Sequence, residues 1–157
     1  MNNYRPGILF LIPLLIVSLL LSVGSIPASP EGDLNLEALL VWGTNDENSP
    51  NPAHKPVEPA LDRKLSKSPY KWKHYFEVNR QRATIAPNAS KKIAMSDKCS
   101  LEVKNVGDSR IEVKLYGEGK QVCRQVEALP PGDTLILGGD AKNDTAWLVI
   151  LKRVSPK

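Results

Sequence analysis

The stretch Cys99–Leu115, CSLEVKNVGDSRIEVKL, constrains the fold more than any other part of the chain. Leu101 and Val103 alternate with Glu102 and Lys104, Ile111, Val113 and Leu115 alternate with Glu112 and Lys114, and VGDS stands between the two runs. Alternation on both sides of a Gly-Asp-Ser turn predicts an antiparallel hairpin with one buried face. Pairing Asn105 with Ile111 brings both apolar sets to that face, whereas a slip of one residue would expose them all. The next turn, GEGK, predicts Tyr116 opposite Gln121 and Leu115 opposite Val122. Val122 and Val126 then enter the core, and Cys123 points the other way. Cys99 faces the core two strands off, so the pair cannot satisfy disulfide geometry and two free thiols are expected.

The same texture continues on both sides of this hairpin. KHYFEVN, ATIAP, SKKIAM, KQVCRQVEAL, DTLIL and AWLVILKRV are short runs separated by PNA, SDK, PPG and GGDAKNDT. Short strands with turn signals at this spacing predict an all-β fold, an antiparallel β-sandwich of about seven to eight strands. Leu34, Leu36, Ala38, Leu40 and Trp42 add a period-two strand ending near Gly43. Between them Pro50, Pro52, Pro56 and Pro59 forbid a long helix or a central strand. One short helix is expected from Pro59 to about Leu65, with the stretch Gly43–Tyr70 wrapping across the domain surface, held by its prolines.

The N-terminus sets the compartment. Ile8–Ile26 is a run of nineteen residues without a charge, preceded by Arg5 and followed by Glu31 and Asp33. A basic start, an apolar centre and small residues beyond it form a secretory signal pattern with a cut after Ala28 or Ser25. The run is also long enough to remain as a membrane anchor. In either case the chain beyond about residue 30 is exported, since Arg5 stays on the cytoplasmic side. The expected organisation is 1–29 as signal peptide or anchor, 30–72 as first strand plus proline-rich crossover, and 73–157 as the sandwich. Loss of the leader removes Arg5 alone among charged residues, taking the formal charge from +4 to +3. That is below the basic density of a nucleic-acid binder.

Catalytic chemistry has little to work with. A nucleophile needs a base, and His54 and His74 are the only histidines, neither beside a nucleophile-elbow motif. The cysteines and histidines lack the short paired spacings of zinc sites. GTNDEN and GGDAKNDT gather Asp46, Glu47, Asp140, Asn143 and Asp144, oxygen ligands suited to calcium, without the calcium-loop spacing. Turn chemistry accounts for them as well. No metal and no cofactor is expected. Asn88 and Asn143 match the glycosylation acceptor pattern, in turns.

The segment from Leu61 to Arg82 is richer. Arg63, Lys64, Lys67, Lys71, Lys73, Arg80 and Arg82 outnumber Asp62 and Glu77, and Tyr70, Trp72, Tyr75 and Phe76 are interleaved. Cations among aromatics suit a polyanion groove or an anionic membrane surface. The plainer reading is a solvated basic face with its rings tucked into the sandwich edge.

LLVWGTNDENSPNPAHKPV, SPYKWKHYFEVNR and LGGDAKNDTAWLVILKR together resemble a group of small exported bacterial proteins of unknown function. The resemblance covers nearly all of the chain after its leader. It implies an envelope protein with a β-rich fold and assigns no residue a role. LEVKNVGDSRIEVKL followed by LPPGDTLIL also resembles the strands of immunoglobulin-like sandwiches in texture. The functional expectation is a non-enzymatic binding or interaction module of the cell envelope, meeting an envelope protein or an anionic polymer. An anionic ligand would be met by Lys71, Trp72, Lys73, His74, Arg80 and Arg82. The alternative of another class is an enzyme or metalloprotein using Asp46, Glu47, His54 and Asp140.

Overall fold

A computed structural model describes residues 32–67, 69–140 and 144–155. The leader lies outside the described residues. Among the described residues two antiparallel sheets contain nine strands, with one short helix. In order these are β1 (Leu34–Thr44), β2 (Lys55–Pro56), α1 (Pro59–Leu65), β3 (His74–Ile85), β4 (Ser90–Ala94), β5 (Cys99–Gly107), β6 (Arg110–Gly117), β7 (Lys120–Ala128), β8 (Thr134–Asp140) and β9 (Ala146–Arg153). One sheet has the order β2-β3-β1-β9-β8 and the other β4-β5-β6-β7. The count is nine, against the seven or eight expected, because the crossover adds the two-residue β2, while KHYFEVN and ATIAP merge into the single strand β3, which pairs with β1 from Ile85 to His74.

The sheets share one core. Leu34, Leu36, Ala38 and Leu40 of β1 pack with Leu101 and Val103 of β5 and with Ile111, Val113 and Leu115 of β6. The hairpin has the register its alternation demands, Asn105 opposite Ile111. The architecture is therefore sandwich-like, with β1 at the centre of the larger sheet.

β1 is buried on its other face too. Leu39 and Val41 join Val57, Leu61, Leu65, Trp72, Tyr75 and Ile150 in a second apolar cluster. The crossover thus lies as a strap over the outer face of the larger sheet. Pro59 opens α1 at a position where its missing N–H costs nothing, and Leu61 and Leu65, four apart, turn one helical face down onto β1. Apolar side chains hold the strap.

One register departs from expectation. Tyr116 pairs with Gln121 as the turn predicts, but Leu115 pairs with Cys123, so Val122 is an extra residue in a β-bulge. The bulge reverses the faces beyond it. Val122 and Val126 are 47% and 43% exposed, and Cys123 packs at the core margin. Both thiols are free. Cys99 and Cys123 share the inner face but sit on β5 and β7, with β6 between, about 10 Å apart by strand spacing alone. A disulfide tolerates less than about 7 Å between Cα atoms.

Candidate functional site

Pairing within the larger sheet decides which loops meet. Gly43 pairs with Ala146 and Trp42 with Trp147, so the loop after β1 and the loop before β9 leave the sheet side by side. Asn45 Nδ2 donates to Asp144 Oδ2 at 3.4 Å. GTNDEN and Asp144 of GGDAKNDT, nearly a hundred residues apart in sequence, thus meet at one end of the larger sheet. Residues 141–143 and the side chain of Asp140 lie outside the described residues, which leaves the calcium and metalloprotein readings of Asn143 and Asp140 there as well.

The basic-aromatic segment is fastened to the same end. Trp72 is buried and donates its indole Nε1–H to the carbonyl oxygen of Asp144 at 2.9 Å. The Lys73 amide donates to Asn45 Oδ1 at 3.3 Å. Asp144 has a φ of 54°, in the left-handed region that Asp and Asn tolerate better than most residues, and this lets one residue serve both neighbours. Gly43 makes room for the rings. A Cβ there would stand 3.2 Å from Tyr75 and 3.4 Å from Trp72.

Lys71 lies over the Trp72 ring at 5.5 Å, and its Nζ is 3.8 Å from Asp144 Oδ1. Both ends of that ion pair are exposed, 62% and 73%, so water competes for each and the pair contributes little. Lys73 is exposed beside it, and His74 opens β3 opposite Thr44 with its ring half-buried. Arg63, Lys64 and Lys67 continue the exposed cations along the strap.

Arg80 and Arg82 are elsewhere. They lie six and eight residues further along β3 than His74, about 20 Å or more at strand rise. Arg80 forks onto Glu77 through Nε at 3.0 Å and Nη2 at 2.6 Å. Its Nη1 donates to Glu37 at 2.6 Å, and Nη2 also donates to Glu58 at 2.9 Å. Arg82 donates twice to Glu37 Oε2, at 3.0 and 2.9 Å. Lys152 completes the network at 3.5 Å from Glu58. Hydrogen bonds from Arg80, with Lys152 nearby, hold the Glu58 carboxyl below its usual range. Arg80 does the same to Glu77, and its own guanidinium is pushed up in return. Arg80 ties Glu58 of the strap to Glu37 of β1 and Glu77 of β3, Lys152 of β9 reaches the same Glu58, and Arg82 bonds Glu37 alone. The six residues expected to act together therefore divide into an end group of four and a structural pair.

Sequence reasoning passed over Glu37 and Glu58, and counted Glu77 only as a charge set against the cations. The available signal was Glu37, a lone acid in the apolar run LNLEALLVW, which is 5% exposed in the fold and must have partners. It also passed over Ser49, whose Oγ is 2.6 Å from His54 Nδ1. With the Ala53 amide on Asn51 Oδ1 at 2.9 Å and the His54 amide on Asn51 O at 3.1 Å, that contact closes a local turn. Asp46 is likewise engaged in its own loop, its amide donating to Thr44 Oγ1 at 3.1 Å. Among the described residues no three His, Cys, Asp or Glu side chains gather as a metal site.

The outer face of the smaller sheet largely neutralises itself. Lys114 meets Glu102 at 2.8 Å and Arg124 meets Glu112 at 2.9 Å. The lysines of the strap and of the loop end have no such checkerboard. The chain matches no protein-family model, no curated protein and no solved structure in comparisons at the level of whole sequences and folds.

Proposed function

We propose that this protein is an exported, non-enzymatic binding module of the cell envelope. Its ligand is an anionic polymer or surface met at the end where Lys71, Trp72 and Lys73 join the two loops. The observation that carries the reading is the anchorage of Trp72 on Asp144, which fixes the backbone between two exposed lysines while their ammonium groups stay in water. Fixed cations beside an indole suit a polymer of phosphates, sulfates or carboxylates, because the rigid backbone limits the entropy lost on contact. Arg80 supports the site from behind through its bond to Glu58 of the strap, Arg82 is taken up by Glu37, and neither reaches the ligand. The test is flotation of the full-length chain with vesicles containing anionic lipid, and with neutral vesicles carrying a soluble sulfated glycan in competition. Export is supported by the leader pattern alone and is tested by fractionation.

A further inference from the structure

We infer that the open edge of β8 receives an extended strand from a partner protein. This rests on the binding-module reading and specifies a partner for it. Sheet edges offer unpaired N–H and C=O groups, and proteins blunt them with charge, proline, bulges or short length. Three of the edge strands here carry such devices. β2 is two residues long and includes Pro56, β4 presents Lys91 and Lys92, and β7 has the Val122 bulge with Arg124. β7 also carries Gln125 and Glu127 at inward-facing positions. β8 reads TLILGGD, with no charge before its last residue and no proline, and among the described residues nothing pairs with its far side.

The ground beside β8 is shaped for one strand. Gln125 and Glu127 face inward opposite Val113 and Ile111, yet both are exposed, so β7 projects past the edge of the larger sheet. On the opposite side Tyr70 and Trp72 of the strap overlook the same edge. A groove of about 360 Å³ runs between these walls, lined by Tyr70, Trp72, Cys123, Gln125, Leu137 and Gly138 among others. The walls obstruct a second whole domain but admit a single extended segment, whose alternate side chains would meet Cys123 and Leu137 on one side and Tyr70 and Ile136 on the other. Lys71 and Lys73 are exposed on either side of Trp72, which lines the groove, so charge complementarity selects a segment flanked by acids. Strand addition of this kind draws affinity from the backbone and selectivity from alternate pockets.

The test pans a phage library of random dodecapeptides on the full-length chain in mild detergent, and in parallel on Ile136→Lys. The expected result is enrichment of apolar-alternating sequences with an acidic flank, at least tenfold lower on the variant at equal melting temperature. A synthesised winner should slow amide exchange in 134–140. Gln125→Trp, at an exposed wall position, fills the groove and serves if the lysine variant does not fold. No enrichment, enrichment indifferent to both variants, or protection confined to other strands would overturn the proposal. Heparin retention of the same preparations separates the two readings. Retention without peptide enrichment ends strand addition alone, and loss of both ends the binding module as well.

Discussion

Glu37 accepts hydrogen bonds from Arg80 at 2.6 Å and from Arg82 at 2.9 Å, as the one charged residue of a largely apolar strand. One carboxylate oxygen serves each guanidinium, so the acid is buried without being left unpaired. Glu37→Ala leaves Arg82 without its carboxylate partner and deprives Arg80 of one of its three. With Glu77 and Glu58 still in reach of Arg80, the loss is expected to be about 1–3 kcal/mol by urea unfolding, short of a fully buried pair. A change within experimental error would show that the network contributes nothing.

Acid should undo the same network. Glu77 and Glu58 are held below their ordinary value of 4.5 by Arg80. A carboxyl depressed in the fold stabilises above its unfolded pKa and loses that contribution as pH falls through the folded one. The urea midpoint of the wild type is therefore expected to drop below about pH 4.5 more steeply than that of Arg80→Met, whose carboxyls titrate near their ordinary values. Parallel curves for the two proteins would contradict the assignment.

Leu65 tests whether the strap is part of the fold. Its side chain is fully buried at the end of α1 against the outer face of β1. Leu65→Ala should cost about 2–4 kcal/mol in urea unfolding, the range for a leucine removed from a packed core. A loose linker would lose less than 1 kcal/mol, on the order of an exposed site.

The two thiols should differ in reactivity. Burial pushes the Cys99 thiol up to about 11, and a thiol reacts through its thiolate. Cys123 lines the groove beside β8. A maleimide added to the native protein should modify Cys123 alone, with Cys99 following on unfolding. Mass spectrometry without reductant should show no link between them. An intramolecular disulfide would contradict the strand order β5-β6-β7.

Gly138 carries a packing constraint. A Cβ there would stand 2.5 Å from Leu148 Cδ2 and 2.7 Å from the Trp147 carbonyl oxygen. The backbone oxygen cannot swing away as a side chain can, so Gly138→Ala should cost about 1–3 kcal/mol by overpacking. An unchanged melting temperature would mean that β8 is free to shift.

Local chemistry was legible in the sequence wherever it was strong. Pro59 marked the start of the short helix, and unbroken alternation gave the Asn105–Ile111 register. The Val122 bulge was not legible, because QVCRQV alternates acceptably in either register and an extra residue leaves no mark in composition. Arg80 and Arg82 read as ligand-binding cations because Glu37 and Glu58 are far from them in sequence, in segments judged for other features. The meeting of GTNDEN with GGDAKNDT depends on β1 pairing with β9, a contact that no local pattern encodes. His54 and Ser49 are five residues apart and could have been paired from the loop alone.

The measurement that bears most directly on the proposed function is the salt concentration at which the full-length chain leaves a heparin column. Lys71→Ala/Lys73→Ala is compared with Lys91→Ala/Lys92→Ala, which removes the same charge from β4. Counterion release makes such binding salt-dependent, so loss of specific contacts appears as earlier elution. The account predicts that the wild type and the β4 variant elute together and that Lys71→Ala/Lys73→Ala elutes clearly earlier, with its melting temperature unchanged. Equal early elution of both variants, or no retention of the wild type, would contradict it.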